Sequence, residues 1–369
     1  MIGNDTGSTT GRSTGSSTGT GTGTRDDGVL RGTVRVGVIG AGAMGAAHVE
    51  SLARWVPGAE VARIFDVDSE RAGAIAQGVG ATAADSAEAL IESDDVDAVL
   101  IAAPDPLHEP LTIACLQLEK PVLLEKPIAA TVEGARRVVD AEVAAGRPLV
   151  QLGFMRRFDP AYLSLREAVV GGSIGRVRAA HFVHRNPRQH PSHSDESVLF
   201  GSMIHEFDCV PWLLDDPLAA VTVFPARVAD GELKDLQVAV FETAGGVVVT
   251  IEVFLNARYG YDIHTEVVGA SGTVSLTPPY GVSVRRELSE IDGVDGRLVT
   301  TDGTLRYLDA YRIEVAAWID SIRSGVPAGS SAWDGYLANV AAFAAIESLH
   351  GGGRVEVPRE QRPTLYDPA

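Results

Sequence analysis

The stretch Val34-Arg35-Val36-Gly37-Val38-Ile39-Gly40-Ala41-Gly42-Ala43-Met44-Gly45 decides the fold. Its first half is a short, almost continuous apolar run, the texture of a strand buried on both faces. The run breaks at Gly40, and an amphipathic stretch over 43–54 begins within the Gly40-x-Gly42-x-x-Gly45 spacing. The first glycine permits a tight turn, the second lets backbone approach a pyrophosphate, and the third allows close strand–helix packing. The helix N-terminus offers unpaired N–H groups and a positive dipole end to phosphate. Asp66 closes the next apolar run, 21 residues past Gly45. A carboxylate at that place accepts from ribose hydroxyls and repels an additional phosphate. The next two residues, Val67 and Asp68, bring no cation. The pattern predicts a site for NAD, with NADP disfavoured, built on Gly40, Gly42, Ala43, Met44, Gly45 and Asp66.

Outward from this stretch, short apolar runs alternate with amphipathic ones. Strands are expected over 34–39, 60–65, 97–103, 121–124 and 149–154, and helices over 43–54, 69–77, 107–118 and 132–145. Such alternation implies a parallel sheet with right-handed crossovers. After Phe154 the texture changes. One helix, 160–170, leads into runs rich in β-branched residues over 176–185, 218–229, 236–241, 247–255 and 264–268, the pattern of a largely antiparallel or mixed sheet. Helices at 307–323 and 333–349 close the chain. The fold class expected is α/β: an N-terminal dinucleotide-binding domain at 31–152, then an α+β domain with a large, mostly antiparallel open sheet at 153–350, then an extension at 351–369. Gly, Ser and Thr fill 19 of the first 24 positions. A segment with so little to bury cannot offset its ordering entropy, so residues 1–30 are expected to be disordered.

Composition excludes several classes. The 369 residues carry 31 basic and 49 acidic side chains, a formal charge of −18. That opposes binding to nucleic acid or to an anionic membrane surface. No apolar run reaches the roughly 18 residues of a spanning helix. The two cysteines, Cys115 and Cys209, form no disulfide framework, which fits a reducing, cytoplasmic setting. The histidines at 181, 184, 190 and 193 lack nearby cysteines, and no metal is expected.

Glu125-Lys126-Pro127 follows the fourth expected strand, at the sheet end where ligands bind in open α/β folds. Together, the glycine turn, this Glu-Lys-Pro and the second sheet resemble the Gfo/Idh/MocA oxidoreductases. Gly153-Phe154-Met155-Arg156-Arg157-Phe158-Asp159, His184-Arg185-Asn186-Pro187, Ile204-His205-Glu206-Phe207-Asp208 and Asn256-Ala257-Arg258-Tyr259-Gly260-Tyr261-Asp262 narrow the likeness to the myo-inositol 2-dehydrogenase branch. The resemblance covers about residues 34–350. It implies oxidation of a cyclitol ring hydroxyl to a ketone, with NAD as acceptor. Lys126 and His205 match the family's catalytic pair, and Glu125 and Lys126 also face the cofactor. Met155, Arg156, His184, Asp208 and one tyrosine, Tyr259 or Tyr261 with Tyr261 favoured, match substrate contacts. A homodimer or homotetramer is implied as well. Asp159 before Pro160 reads as a helix N-cap.

One position departs. Inositol-type members carry Asp four residues before the catalytic histidine, and here that residue is Gly201. Three readings follow. Ser202, Asp195 or Glu196 substitutes for the missing carboxylate, or the substrate is a modified cyclitol or related sugar, or turnover is lost. The second is preferred.

Overall fold

The computed structural model describes residues 32–189, 193–276 and 306–367, and the backbone of short strand pieces at Thr24–Asp26, Val29–Arg31, Arg285–Arg286, Gly293–Val294 and Arg297–Leu298. Most of the 1–30 tail lies outside these residues. The exceptions, Thr24–Asp26 and Val29–Arg31, pair antiparallel, so regular backbone begins earlier than composition suggested.

The first layer contains β1 (Val34–Ile39), α1 (Ala43–Trp55), β2 (Ala59–Phe65), α2 (Ser69–Val79), β3 (Thr82–Ala83), α3 (Ala87–Glu92), β4 (Ala98–Ile101), α4 (His108–Gln117), β5 (Val122–Leu124), α5 (Val132–Ala145) and β6 (Val150–Leu152). Strands β1 to β6 are mutually parallel, in the order β6-β5-β4-β1-β2-β3. The continuous apolar runs are explained by two cores. Val36, Val38, Leu100 and Leu123 enter one hydrophobic cluster, while Ile39, Val99, Ile101, Val122 and Leu124 enter the other. Side chains alternate across a strand, so a sheet covered on both faces needs apolar residues at every position.

The second layer follows: α6 (Pro160–Val170), β7 (Val177–Arg185), α7 (Ile204–Leu214), β8 (Leu218–Pro225), β9 (Leu236–Thr243), β10 (Val248–Phe254), β11 (Asp262–Gly269) and β12 (Thr273–Ser275). After them come α8 (Leu308–Ser324), β13 (Ser330–Ser331), α9 (Ala332–Gly351) and β14 (Val355–Glu356). The second sheet runs β12-β11-β7-β10-β9-β8-β14. Every described pairing in it is antiparallel except β10 with β7. Strand β10 buries Val249, Ile251 and Val253 and leaves Val248 exposed, the period-two pattern of a sheet covered on one face.

The last helices differ in where they pack. Val315, Trp318, Ile319 and Ile322 of α8 join the core under α1, in the first layer. Strand β13 adds an antiparallel edge to β6. The chain therefore returns to its nucleotide half before β14 adds the last strand of the second sheet. A division at residue 153, read from texture alone, does not register this return.

Candidate active site

The glycine turn sits between β1 and α1. Gly40 has φ +96°, and a Cβ there would strike the Ala102 carbonyl; one on Gly45 would strike the carbonyl of Gly40. A Cβ on Gly42 would meet nothing within 4 Å. The turn is thus closed where chain packs on chain and open where a pyrophosphate would approach. Helix α1 starts without a side-chain cap and without an acidic residue in its first turn, so the N–H groups near Ala43 and Met44 remain available to an anion.

Asp66 ends β2. It accepts from Ala41 N at 2.6 Å, Asp68 N at 2.9 Å and Arg71 Nη2 at 2.6 Å. Burial opposes its charge, but the two N–H groups and Arg71 outweigh that and hold the carboxyl below its ordinary range. The ionised acceptor that ribose requires is present. Arg71 lies beyond the two residues, Val67 and Asp68, that directly follow Asp66. The first turn of α2, capped by Asp68, brings a cation back to this corner. Beside Asp66 a slot of about 200 Å³ is lined by Gly40, Val67, Pro104, Leu107 and Leu111. Val67 at its rim is 88% exposed. The sequence signal for this slot was Ala103-Pro104-Asp105-Pro106-Leu107, a turn at the carboxyl end of β4. These residues would fit the dinucleotide, with the turn facing its pyrophosphate and Asp66 its ribose.

Glu125 is buried and bonded to His48 Nε2 at 2.8 Å, which ties α1 to the end of β5. The next residue, Lys126, reaches into a cleft of about 690 Å³ between the layers. Met155, His184, Ser202, His205 and Tyr261 share that cleft. Lys126 Nζ donates to the Gly201 carbonyl at 3.1 Å. That carbonyl is presented by a π-helical turn, Val198–Met203, which precedes α7. A Cβ on Gly201 would meet nothing within 4 Å, so the site of the missing carboxylate is open space. His205 stands on the first turn of α7, and its Nδ1 is buried with no partner among the described residues. Burial, followed by the charges of Lys126 and Arg156 and by His184, keeps its pKa well below the ordinary histidine value. The ring is therefore neutral at pH 7 and can receive a proton.

Two expected substrate contacts lie elsewhere. Arg156, 1% exposed, forms an ion pair with Glu206, which is completely buried. His184 Nδ1 stands 3.2 Å from Glu206 Oε2, so this pair orients His184 from behind. Asp208, 2% exposed, receives Arg157 through two bonds, Nη2–Oδ1 at 2.6 Å and Nε–Oδ2 at 3.0 Å, and Ser330 Oγ at 3.1 Å. His205 and Asp208 do share a helix face, but three residues advance the chain about 4.5 Å along the axis. That advance carries Asp208 past the cleft and onto Arg157. Glu206 was not singled out in the sequence, although a Glu directly after the histidine and an Arg-Arg pair upstream were visible.

The remaining expectations separate cleanly. Tyr261 lines the cleft, while Tyr259 bonds to Asp262 at 2.6 Å and to Arg185 at 3.0 Å. Asp195 is engaged by Lys234 and Glu196 by His350, so of the three replacements for the missing carboxylate only Ser202 is in the cleft. Asp159 caps α6 as expected, accepting from Ala161 N and Tyr162 N. His181 bonds to Thr250, and among the described residues no group of three or more His, Cys, Asp or Glu side chains is placed to hold a metal. Nor, among them, is any helix long and apolar enough to cross a membrane.

Residues 34–154 match the model of the oxidoreductase family with an NAD-binding Rossmann fold, and residues 162–275 match the GFO/IDH/MocA C-terminal domain. Inositol 2-dehydrogenase 2 of Saccharopolyspora erythraea is 42% identical over 340 residues, 91% of this chain and 99% of that protein. Inositol 2-dehydrogenase of Rubrobacter xylanophilus is 41% identical over 338 residues, 90% of this chain and 96% of that one. Among solved structures, myo-inositol dehydrogenase from Lactobacillus casei in complex with NAD(H) and myo-inositol superposes with a TM-score of 0.83 at 34% identity, covering 91% of this chain and all of that one. The chain belongs to the Gfo/Idh/MocA oxidoreductases.

Proposed function

We propose, from that membership and from the cleft, an NAD-dependent dehydrogenase that oxidises a ring hydroxyl of a cyclitol to a ketone. One observation carries the reading: Lys126, at the carboxyl end of β5, and His205 enter a single cleft. Bound NAD supplies the hydride acceptor. His205, buried and neutral, takes the hydroxyl proton. The Lys126 ammonium, held near the Gly201 carbonyl, turns to the reacting oxygen and stabilises alkoxide charge as it develops. Met155, His184 and Tyr261 hold the ring. Arg156 and Asp208 act at one remove, by fixing His184 and α7.

Assembly as a homodimer or homotetramer belongs to the same reading. The open face of the second sheet leaves Phe224 and Val248 exposed, and covering apolar strand surface with a second copy removes an aggregation liability. A cytoplasmic location fits the two buried free thiols. The test of function is absorbance at the reduced-nicotinamide band with NAD and a panel of myo-, scyllo- and D-chiro-inositol, substituted cyclitols and glucose. Turnover of a cyclitol supports the reading. NAD binding without turnover of any polyol rejects it in favour of a non-catalytic NAD-binding protein.

A further inference from the structure

The geometry points to a substrate whose ring carries an anionic substituent, a carboxylate or a phosphate. This rests on the dehydrogenase reading and narrows it. Cleft volume alone decides little, because the 690 Å³ would have to admit the nicotinamide end of the cofactor as well as the substrate. Charge decides more. Lys126 and Arg188 line the cleft, His184 and His205 add further nitrogen, and among the described lining residues there is no Asp or Glu. Arg258 lines it too, but it is engaged within the protein and is not counted. In a chain with 49 acidic and 31 basic residues, a cleft lined by cations without a carboxylate runs against the composition.

Hydrogen-bonding capacity leads the same way. A polyol hydroxyl both donates and accepts, and a carboxylate is the strongest partner for its proton. Arg and Lys only donate. The place where a carboxylate would stand is Gly201, with open space before it. A cleft poor in anionic acceptors and furnished with guanidinium suits a group that only accepts. Arg188 is exposed at the mouth, beside Asn186 and Pro187, and offers the planar fork that matches carboxylate or phosphate.

The experiment uses the full chain with NAD and matched pairs: myo-inositol against an inositol monophosphate, and glucose against glucuronate. The anionic member of at least one pair is expected to show kcat/KM about tenfold above its neutral partner, the worth of one charge-assisted hydrogen bond. The pair that shows it identifies the group as phosphate or carboxylate. Salt supplies an independent sign. With a chain of net charge −18, screening the overall field would help an anionic substrate arrive, whereas screening a local guanidinium contact would hinder it. The expected preference therefore shrinks as salt rises. Arg188→Gln is expected to remove the preference, and Gly201→Asp to reverse it. Turnover of neutral members equal to or better than the anionic ones overturns this inference and leaves the dehydrogenase reading intact. So does a preference that survives Arg188→Gln. NAD binding with no turnover of any member overturns the dehydrogenase reading and this inference with it.

Discussion

Replacing Glu206 with Gln isolates the charge at the centre of the α7 scaffold. Arg156 and Glu206 are both out of water, 1% and 0% exposed, and the guanidinium cannot shed its proton. Burial works against the Glu206 charge, yet Arg156 and His184 hold its pKa below the carboxylate range, so the pair is ionised. Gln keeps the shape and a contact to His184 but leaves a buried cation without its counter-charge. Breaking a buried pair in this way costs about 3–5 kcal/mol. At roughly 2–4 °C per kcal/mol, Tm falls by roughly 6–20 °C. The second variant, Arg156→Met with Glu206→Gln, removes both charges and is expected to recover most of the loss, since the penalty lies in the unpaired ion and not in the missing bond. Thermal and denaturant unfolding of the three proteins measure this. The reasoning is refuted by a single-variant cost below about 1 kcal/mol, or by a double variant no more stable than the single.

His205→Ala should lower kcat by about 10²–10⁴ while NAD affinity, measured by fluorescence titration, changes little, because the glycine turn and Asp66 that hold the rest of the dinucleotide are untouched. The acid limb of the kcat/KM profile should fall below the ordinary histidine range. The histidine pKa is depressed, so the neutral base persists as pH drops; a limb centred near 6.5 would show that neither burial nor the neighbouring cations act on it. Asp66→Asn should move the kcat/KM ratio of NADP to NAD upward by about tenfold or more, because the carboxylate that opposes a phosphate is gone and Arg71 is released to meet one. An unchanged ratio would remove Asp66 from cofactor choice. Glu314 on α8 is buried with both oxygens unpartnered among the described residues, and burial, then Glu125 and Asp208, raises its pKa well above normal. A folded carboxyl that stays protonated is a stability contribution present at low pH and lost as pH climbs. Glu314→Gln should accordingly raise Tm at pH 8 by about 2 °C or more, with the difference vanishing near pH 4; equal Tm values at pH 8 would mean the carboxyl is not held neutral.

The sequence exposed those features that depend on local pattern. Val34–Ile39 with its glycines, the alternating runs to Leu152, and the placement of Lys126 and His205 at element ends all follow from periodicity and turn chemistry, and the structure has them within one to three residues. The cap at Asp159 was equally local. What escaped depended on distance. Nothing near Arg156 or Arg157 in the chain says that their partners are Glu206 and Asp208, some fifty residues on; the pairing arises only when the turn after β6 is laid against α7. Arg71 was missed for a smaller reason of the same kind, since a helix turn returns residue i+5 to the strand end. Helix α8 has an apolar stripe that any amphipathic helix could show, and the stripe alone cannot say which layer it covers.

That last helix bears on modularity. The nucleotide half cannot be lifted out as a cassette by cutting after residue 153. Doing so would strip Val315, Trp318, Ile319 and Ile322 from the underside of α1 and bare the core that supports the glycine turn. The C-terminal segment also pins the opposite side, with the Tyr366 hydroxyl on Glu142 at 2.6 Å in α5. Exchange of substrate halves between relatives would have to keep α8 and β13 with the nucleotide half while β14 goes with the second sheet, or rebuild both seams. A single junction between the domains therefore does not separate the two halves of this chain.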